Sequence, residues 1–170
     1  MAELIKTISS MHIEQELKSN KYGVWQQLRI NIHLSANWLT HLTKDFLEPY
    51  DITSKQYNIL RILRGQKGSG LTILEVRDRM IDRMSDASRL IDRLSKKGLV
   101  FKCACTMDKR SNRVCITEKG LALLSEIDIK VEDLNGDFHL LDEAEAQTLN
   151  ALLTKMRESR PLGKNGHAQG

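Results

Sequence analysis

Apolar residues recur at alternating three- and four-residue steps between Val24 and Pro49. Apart from one serine, the positions are apolar: Trp25, Leu28, Ile32, Ser35, Leu39, Leu42 and Phe46. This spacing predicts one face of a helix, and the proline ends it because the residue before a proline is disfavoured in helical space. About 24 helical residues span roughly 36 Å. For a domain this small, we expect part of that face to lie against something outside it, such as a second subunit.

Three capping boxes mark the starts of further helices. In each box, one side chain accepts the backbone N–H three residues on, and a Glu or Gln side chain reaches back. The pairs are Thr53 with Gln56, Thr72 with Glu75, and Asp142 with Glu145. Thr117 is expected to cap one more helix. The glycine-rich residues 65–70 follow a helix and lack the G-K-[ST] ending of a phosphate-binding loop, so we interpret them as a linker between helices.

Residues 72–98 predict two short helices with a break near 82–84. Ser85 is expected to cap the second helix and Gly98 to end it. The first helix would point Ile73, Val76 and Met80 inward, and the second Ala87, Leu90, Ile91 and Leu94. Two short helices joined by a few residues, the second amphipathic and basic, indicate a helix-turn-helix.

The period changes to two in residues 99–105 and 113–117, which is typical of strands. The polar segment between them predicts a hairpin turn directly after the helix-turn-helix. The predicted fold class is therefore mainly α: a winged helix-turn-helix with a small β-hairpin wing, flanked by N- and C-terminal dimerisation helices. We expect an N-terminal extension over 1–20, a single domain over 21–158 and a flexible tail over 159–170. Within the domain, the winged helix would cover about 52–118 and the dimerisation helices about 24–48 and 119–158.

Positive charge is concentrated in the middle of the chain. Residues 72–113 carry eleven Lys and Arg against six Asp and Glu, a net charge of +5. The remaining residues carry fifteen basic and sixteen acidic side chains, a net charge of −1. Local basicity of this kind is typical of a surface that binds nucleic acid. The alternative is an ordinary solvated surface, which six acids in the same segment would also fit.

The segments "SRLIDRLSKKGLV" (88–100) and "DKRSNRVCITEKG" (108–120) resemble the end of the recognition helix and the wing of the MarR family of bacterial transcription regulators. The wing motif of that family, D-x-R followed by an apolar strand and T-x-x-G, is present as Asp108, Arg110, Thr117 and Gly120. The resemblance implies a homodimer that binds pseudo-palindromic double-stranded DNA. It also implies repression of a promoter and release by a small effector, often phenolic, or by oxidation.

A helix in the major groove offers side chains to base edges near its N-terminus. The predicted contacts there are Ser85, Asp86, Ser88 and Arg89, followed by Arg93 and Lys97 toward phosphate or solvent. Arg89 is the choice for guanine, because its guanidinium can bond O6 and N7 together. Asp86 would be repelled by phosphates unless it accepts from cytosine or pairs with Arg83 or Arg89, and we favour pairing.

The wing supplies a second group of candidate DNA contacts. They are Asp108, Lys109, Arg110 and Arg113. A narrow A·T-rich minor groove attracts arginine, and Arg110 is the choice for insertion, with Asp108 orienting it. The alternative for this segment is a solvated hairpin turn.

Three cysteines, Cys103, Cys105 and Cys115, cluster in the predicted wing strands. Their odd number argues against a disulfide framework, and no pair has C-x-x-C zinc spacing. Oxidation could distort the wing if a thiolate is accessible, whereas buried cysteine is commonly a plain hydrophobe. His33, Trp38 and His41 could line an effector pocket, with simple packing as the alternative. The two histidines lie about 12 Å apart along the helix, too far to share a metal, so no metal and no cofactor is expected.

Other classes of protein receive less support from the sequence. The chain has no uncharged stretch long enough for a membrane span and no signal-peptide pattern, so a cytoplasmic location is expected. It has no G-x-S-x-G, H-E-x-x-H or dinucleotide fingerprint, so an enzyme is not expected. The remaining alternatives are a winged-helix module that holds another protein or RNA, and a redox-sensing regulator that uses the wing cysteines.

Overall fold

The structure is a computed structural model that describes residues 22–66, 70–104, 112–136, 138 and 140–158. For Cys103, Ala104 and Asn112 it describes the backbone alone. The chain divides into two compact units, one up to Ile129 and one from Lys130 onward.

The described part of the chain is mainly helical, with a small sheet. Helix α1 spans Val24–Leu47 and runs into a 3-10 turn at Glu48–Tyr50. The winged-helix region then has α2 Ser54–Arg64, β1 Leu71–Thr72, α3 Ile73–Arg79, α4 Ala87–Lys96, β2 Val100–Ala104 and β3 Asn112–Ile116. Two helices close the chain, α5 Glu118–Gly136 and α6 Glu143–Glu158. The predicted fold class, a mainly α winged helix with helices on either side, is confirmed.

The predicted capping boxes form as reciprocal hydrogen bonds. At the start of α2 the Gln56 backbone N–H donates to Thr53 Oγ1 at 3.3 Å, and Gln56 Oε1 accepts from the Thr53 N–H at 3.0 Å. The equivalent bonds at α3 measure 3.2 and 2.7 Å. Thr117 Oγ1 accepts from the Gly120 N–H at 3.0 Å and so caps α5. These local bonds explain why helix starts could be predicted from residue type and spacing.

The sheet has three antiparallel strands in the order β1–β3–β2. Leu71 pairs with Val114, and Val114 in turn pairs with Lys102. The sequence predicted only the β2–β3 hairpin, because a strand of two residues has no period to detect. Gly70 adopts a left-handed conformation with φ 63° immediately before β1. The predicted linker therefore leads into a strand that anchors the wing to the helix-turn-helix.

One apolar core fills the first unit. It includes Leu47, Ile59, Leu60, Val76, Ile91, Leu94, Val114, Leu124 and Ile127, all essentially buried. A salt bridge with two hydrogen bonds joins α2 to α5, from Arg64 to Asp128, with a shortest N–O distance of 2.5 Å. The Asp128 carboxylate raises the pKa of Arg64, and the Arg64 guanidinium lowers the pKa of Asp128.

The second unit contains the last part of α5 and all of α6. The Asp142–Glu145 capping box is confirmed, with hydrogen bonds of 3.0 and 2.8 Å. No residue of α6 is buried. Its large apolar side chains Leu149, Leu152 and Met156 are exposed to solvent, as are Leu140 and Leu141 before it.

Candidate nucleic-acid interface

Helix α4 has one buried face and one solvent-facing face. Ala87, Ile91 and Leu94 are buried in the core. Ser88, Arg89 and Arg93 are exposed. The sequence folds this way because its apolar residues recur at three- and four-residue spacing, which leaves the polar residues on the opposite side. The exposed face therefore presents the polar and cationic side chains that sequence analysis selected.

The residue that caps α4 is Asp86. Its Oδ1 accepts the Arg89 backbone N–H at 3.1 Å. The predicted cap, Ser85, was wrong by one residue. The Ser85 hydroxyl instead donates to Asp82 Oδ2 at 2.7 Å. A carboxylate is a strong hydrogen-bond acceptor, so the Ser85 hydroxyl bonds to Asp82. The Asp86 carboxylate then accepts the backbone N–H that is left unpaired at the start of α4.

Asp86 also forms an ion pair with Arg89. Asp86 Oδ2 lies 3.1 Å from Arg89 Nε, and the Arg89 side chain is 83% exposed. The predicted pairing of Asp86 with a neighbouring arginine is therefore confirmed. The pair engages Nε, whereas a bidentate bond to guanine can use the terminal amino groups of the same guanidinium. Asp86 can thus orient Arg89 without occupying every donor.

The turn between α3 and α4 is held by Asp82. Its carboxylate contacts Lys55 Nζ at 2.9 Å, the Ser85 hydroxyl and the Met84 backbone N–H at 3.0 Å. These partners, with Lys55 first, lower the pKa of Asp82 to about 2. Asn58 Oδ1 accepts the Ile81 N–H at 3.1 Å and ties the other end of the turn to α2. These roles of Lys55, Asn58 and Asp82 were not predicted from the sequence, because Lys55 and Asn58 lie more than twenty residues from their partners in the turn.

Two predicted DNA contacts have protein partners in the structure. Lys97 Nζ lies 2.8 Å from Asp51 Oδ2 and also donates to the Asp51 carbonyl. Arg113 donates to the Gly70 carbonyl at 3.2 and 3.3 Å and to Glu75 Oε2 at 3.4 Å. Arg113 therefore links β3 to the segment that opens α3. Hydrogen bonds from Thr72, and to a lesser extent the Arg113 charge, lower the pKa of Glu75.

The tip of the predicted wing lies outside the described residues. This includes Asp108, Lys109 and Arg110, together with Cys105 and the side chain of Cys103. Cys115 is described: it is buried on β3 and disulfide-bonded. The expectation of no disulfide, drawn from an odd cysteine count, is contradicted at this position. An odd number of cysteines argues against a framework of several disulfides, but three cysteines can still form one pair.

The residues predicted for an effector pocket all lie on α1. His33, Trp38 and His41 are exposed. Within the described part of the chain, no group of three or more His, Cys, Asp or Glu side chains is arranged to hold a metal ion. None of the described helices combines the length and the apolar character needed to cross a bilayer.

Comparisons with known proteins point to one class of regulator. No family model matches the chain. An uncharacterised HTH-type transcriptional regulator of Bacillus cereus is 26% identical over 125 residues, which are 72% of this chain and 82% of that protein. An E. coli MarR variant solved with operator DNA is similar at a TM-score of 0.69 with 28% identity, covering 76% of this chain and 92% of that one.

A further structural neighbour is the organohalide-sensing regulator RdhR, solved with 2,4-dichlorophenol bound. It has a TM-score of 0.75 at 18% identity, covering 88% of this chain and 89% of that one, and it shows likeness of fold alone. These three proteins are transcriptional regulators. The resemblance first seen in the recognition-helix and wing sequences is therefore confirmed: the chain is a winged-helix protein of the type found in MarR-family transcriptional regulators.

Proposed function

We propose that the chain is a sequence-specific regulator of transcription that binds double-stranded DNA. In this proposal it acts as a homodimer on a pseudo-palindromic operator, represses the adjacent promoter and releases DNA when a small effector binds. The observation that carries the proposal is the solvent-facing side of α4, which presents Ser88, Arg89 and Arg93 from a helix whose other face is fixed in the core. The resemblance to a regulator solved with operator DNA supports it.

The N-terminal end of α4 would read bases. Arg89 would bond a guanine in the major groove, with Asp86 holding the guanidinium in place through the 3.1 Å ion pair. Ser85 and Ser88 are small enough to let the helix approach closely. Arg93, further along the exposed face, would contact phosphate, which positions the helix but carries no sequence information.

The wing would contact the neighbouring minor groove. We assign this role to Lys109 and Arg110 from sequence alone, since both lie outside the described residues. The base of the wing has the support such a role needs: β3 pairs with both β1 and β2, and Arg113 bonds Gly70 and Glu75. We therefore propose that Arg113 and Lys97 mainly hold the binding surface together, and contact phosphate only secondarily.

A second copy of the chain would cover apolar surface that each unit leaves open. In the first unit, α1 exposes Val24, Trp25, Leu28 and Leu39, and buries only Leu47. In the second unit, α6 has no buried residue. Large exposed apolar patches mark protein interfaces. Closed twofold dimers are the commonest assembly among soluble oligomers.

The effector part of the proposal is based on one structural neighbour and on three side chains of α1. One neighbour of similar fold was solved with a phenol bound, and Trp38 with the two histidines beside it offers aromatic and hydrogen-bonding groups on α1. Phenolic compounds are therefore the first class to test. Added effector should weaken DNA binding by the wild-type chain, and His33→Ala or His41→Ala should blunt the response while leaving DNA affinity intact.

The disulfide at Cys115 favours a second candidate, regulation by oxidation. Cys115 lies on β3 at the centre of the sheet, opposite Phe101. Making or breaking a disulfide there would alter the strand pair that carries the wing. DNA affinity measured with and without a thiol reductant decides this: a reversible change that Cys115→Ser abolishes supports redox control, and equal affinities rule it out.

The proposed function is tested by equilibrium binding to a duplex selected from a random pool. Because phosphate contacts release counterions, log Kd should vary with log salt concentration at a slope of about 6 to 10 in magnitude. Arg93→Ala should reduce that slope by about 1. Lys155→Ala, outside the basic segment, is the matched control and should leave the slope unchanged. A slope near zero would contradict the proposed function and favour a module that binds another protein.

A further inference from the structure

Two large apolar side chains are almost fully exposed in the turn between α3 and α4. Ile81 is 91% exposed and Met84 is 94% exposed. Neither side chain belongs to the apolar core of the described residues. Single exposed apolar residues are ordinary. Here two of them lie three residues apart, just before the N-terminus of α4, whose exposed face is cationic.

The backbone that carries these two side chains is fixed at both ends. The Ile81 N–H donates to Asn58 Oδ1 at 3.1 Å, and the Met84 N–H donates to Asp82 Oδ1 at 3.0 Å. Asp82 is itself bound by Lys55 at 2.9 Å and by Ser85 at 2.7 Å. The turn is thus pre-organised, so presenting an apolar surface to a ligand costs little further ordering of the backbone.

The charges around the turn favour a polyanion as its partner. Arg79, Arg83 and Arg89 are exposed on either side of it. A second copy of the same turn would bring these cations together and be repelled. A duplex offers both features that match: phosphates for the arginines, and an apolar group on the base edge of thymine, whose C5-methyl points into the major groove.

We propose that Met84, with Ile81 beside it in the turn, contacts the C5-methyl group of a thymine and makes that base a requirement of each half-site. The inference rests on the proposed function and names one base that the site selects. Met84 stands two residues before the N-cap of α4, at the end of the helix that can approach base edges. Its unbranched thioether side chain adapts to an irregular apolar surface.

Replacing thymine by deoxyuridine tests the contact directly, because it removes the methyl group and preserves base pairing. A duplex selected from a random pool by the full chain is resynthesised with each thymine replaced in turn. At one position per half-site, the replacement should weaken wild-type binding about fourfold, the effect of one buried methyl-sized group. Other replaced positions should have little effect.

Variants of the turn then assign the effect to its residue. Met84→Gln keeps the length of the side chain and removes its apolar end, so it should bind thymine and uracil duplexes equally. Met84→Leu should retain the discrimination. Leu74→Ala, at an exposed apolar position on α3, is the matched control and should also retain it. Loss of the discrimination in Met84→Gln alone, with DNA binding preserved, supports the proposal.

Other outcomes overturn it in distinguishable ways. The thymine contact is refuted if the wild-type chain binds thymine and uracil duplexes equally, or if Met84→Gln still distinguishes them. Both results leave the proposed function intact. A change in oligomeric state of Met84→Gln without DNA, measured by sedimentation, assigns the turn to a protein interface instead. If the chain enriches no duplex from the pool, the proposed function and this contact fail together.

Discussion

At the scale of single residues, the binding surface depends on a few polar contacts that fix backbone. The Asp82 carboxylate forms an ion pair with Lys55 and accepts hydrogen bonds from the Ser85 hydroxyl and the Met84 N–H. Asp86 caps α4 and forms an ion pair with Arg89. The capping boxes were predictable because both partners are three residues apart. The contacts of Asp82 with Lys55 and of Asn58 with Ile81 were not, because they depend on how α2 packs beside the turn.

Asp82→Asn should remove an acid-sensitive contribution to stability. The folded-state pKa is lowered from 3.8 to about 2, so the carboxylate contributes stability fully above its ordinary pKa and loses it as the pH falls from about 4 toward 2. Urea unfolding across this range should show wild type more stable than the variant near neutral pH, with the gap closing in acid. Lys55→Ala should reproduce part of the effect and be non-additive with Asp82→Asn; full additivity would contradict the network.

Gly120→Ala should destabilise the protein, because the added Cβ would lie 2.4 Å from the Leu99 carbonyl oxygen and 2.7 Å from Ile116 Cγ1. Overpacking of this kind costs about 1 to 3 kcal/mol, measurable as a lower urea midpoint. Gly136→Ala is the matched control on the same helix, since nothing lies within 4 Å of its new Cβ, and it should be neutral or mildly stabilising. Equal effects of the two changes would refute the close approach. The contact also explains why the T-x-x-G motif ends in glycine.

At the scale of elements, α4 and the three-stranded sheet form the proposed DNA-binding surface. Periodicity predicted α4 and the β2–β3 hairpin, because a buried face and a pleated strand leave a pattern in the sequence. It could not predict β1, whose two residues are strand only because β3 lies beside them. It also misplaced the start of α4 by one residue, since Ser85 and Asp86 are both good caps and the choice depends on Asp82.

Asp86→Ala should lower stability by about 1 kcal/mol, because α4 loses its N-cap. Asp86→Asn is the matched variant: the amide oxygen can still accept the Arg89 N–H, so stability should be largely preserved while the ion pair with Arg89 is lost. Thermal or urea unfolding of the two variants checks this. If Ala and Asn destabilise equally, the cap is not the source of the effect.

Arg89→Ala should weaken binding to the selected duplex by about 1 to 3 kcal/mol and relax the requirement for one base pair per half-site. Arg93→Ala is the control on the same face and should weaken binding to all sequences alike. Competition between the selected duplex and single-base variants measures both. An Arg89→Ala protein that keeps its full base preference would remove Arg89 from the reading role.

At the scale of the whole molecule, each described unit leaves large apolar side chains exposed. The long series on α1 predicted this from sequence, because 24 residues of amphipathic helix exceed the needs of a small core, and α1 indeed buries only Leu47. The sequence could not show that α6 has no buried residue, since its apolar periodicity is the same whether the partner lies within or outside the chain.

Leu152→Asp should shift the protein toward a monomer, because a charge would be placed in the proposed dimer interface. Asn150→Asp, an exposed position on the same helix, introduces the same charge and should leave the assembly unchanged. Sedimentation over a range of concentrations compares them. Loss of the dimer should also lower DNA affinity, because the proposal places α4 and the wing of both copies on one duplex. A Leu152→Asp protein that sediments as wild type would place the interface elsewhere.

The central claim is that two copies of α4 and its wing read one duplex. Selection from random duplexes by the full chain, followed by footprinting of the enriched sequence, tests it most directly. We expect an inverted repeat whose half-sites lie about 34–36 Å apart, one turn of the DNA helix, with both halves protected. Enrichment of a single unrepeated site, or of no sequence at all, would contradict it.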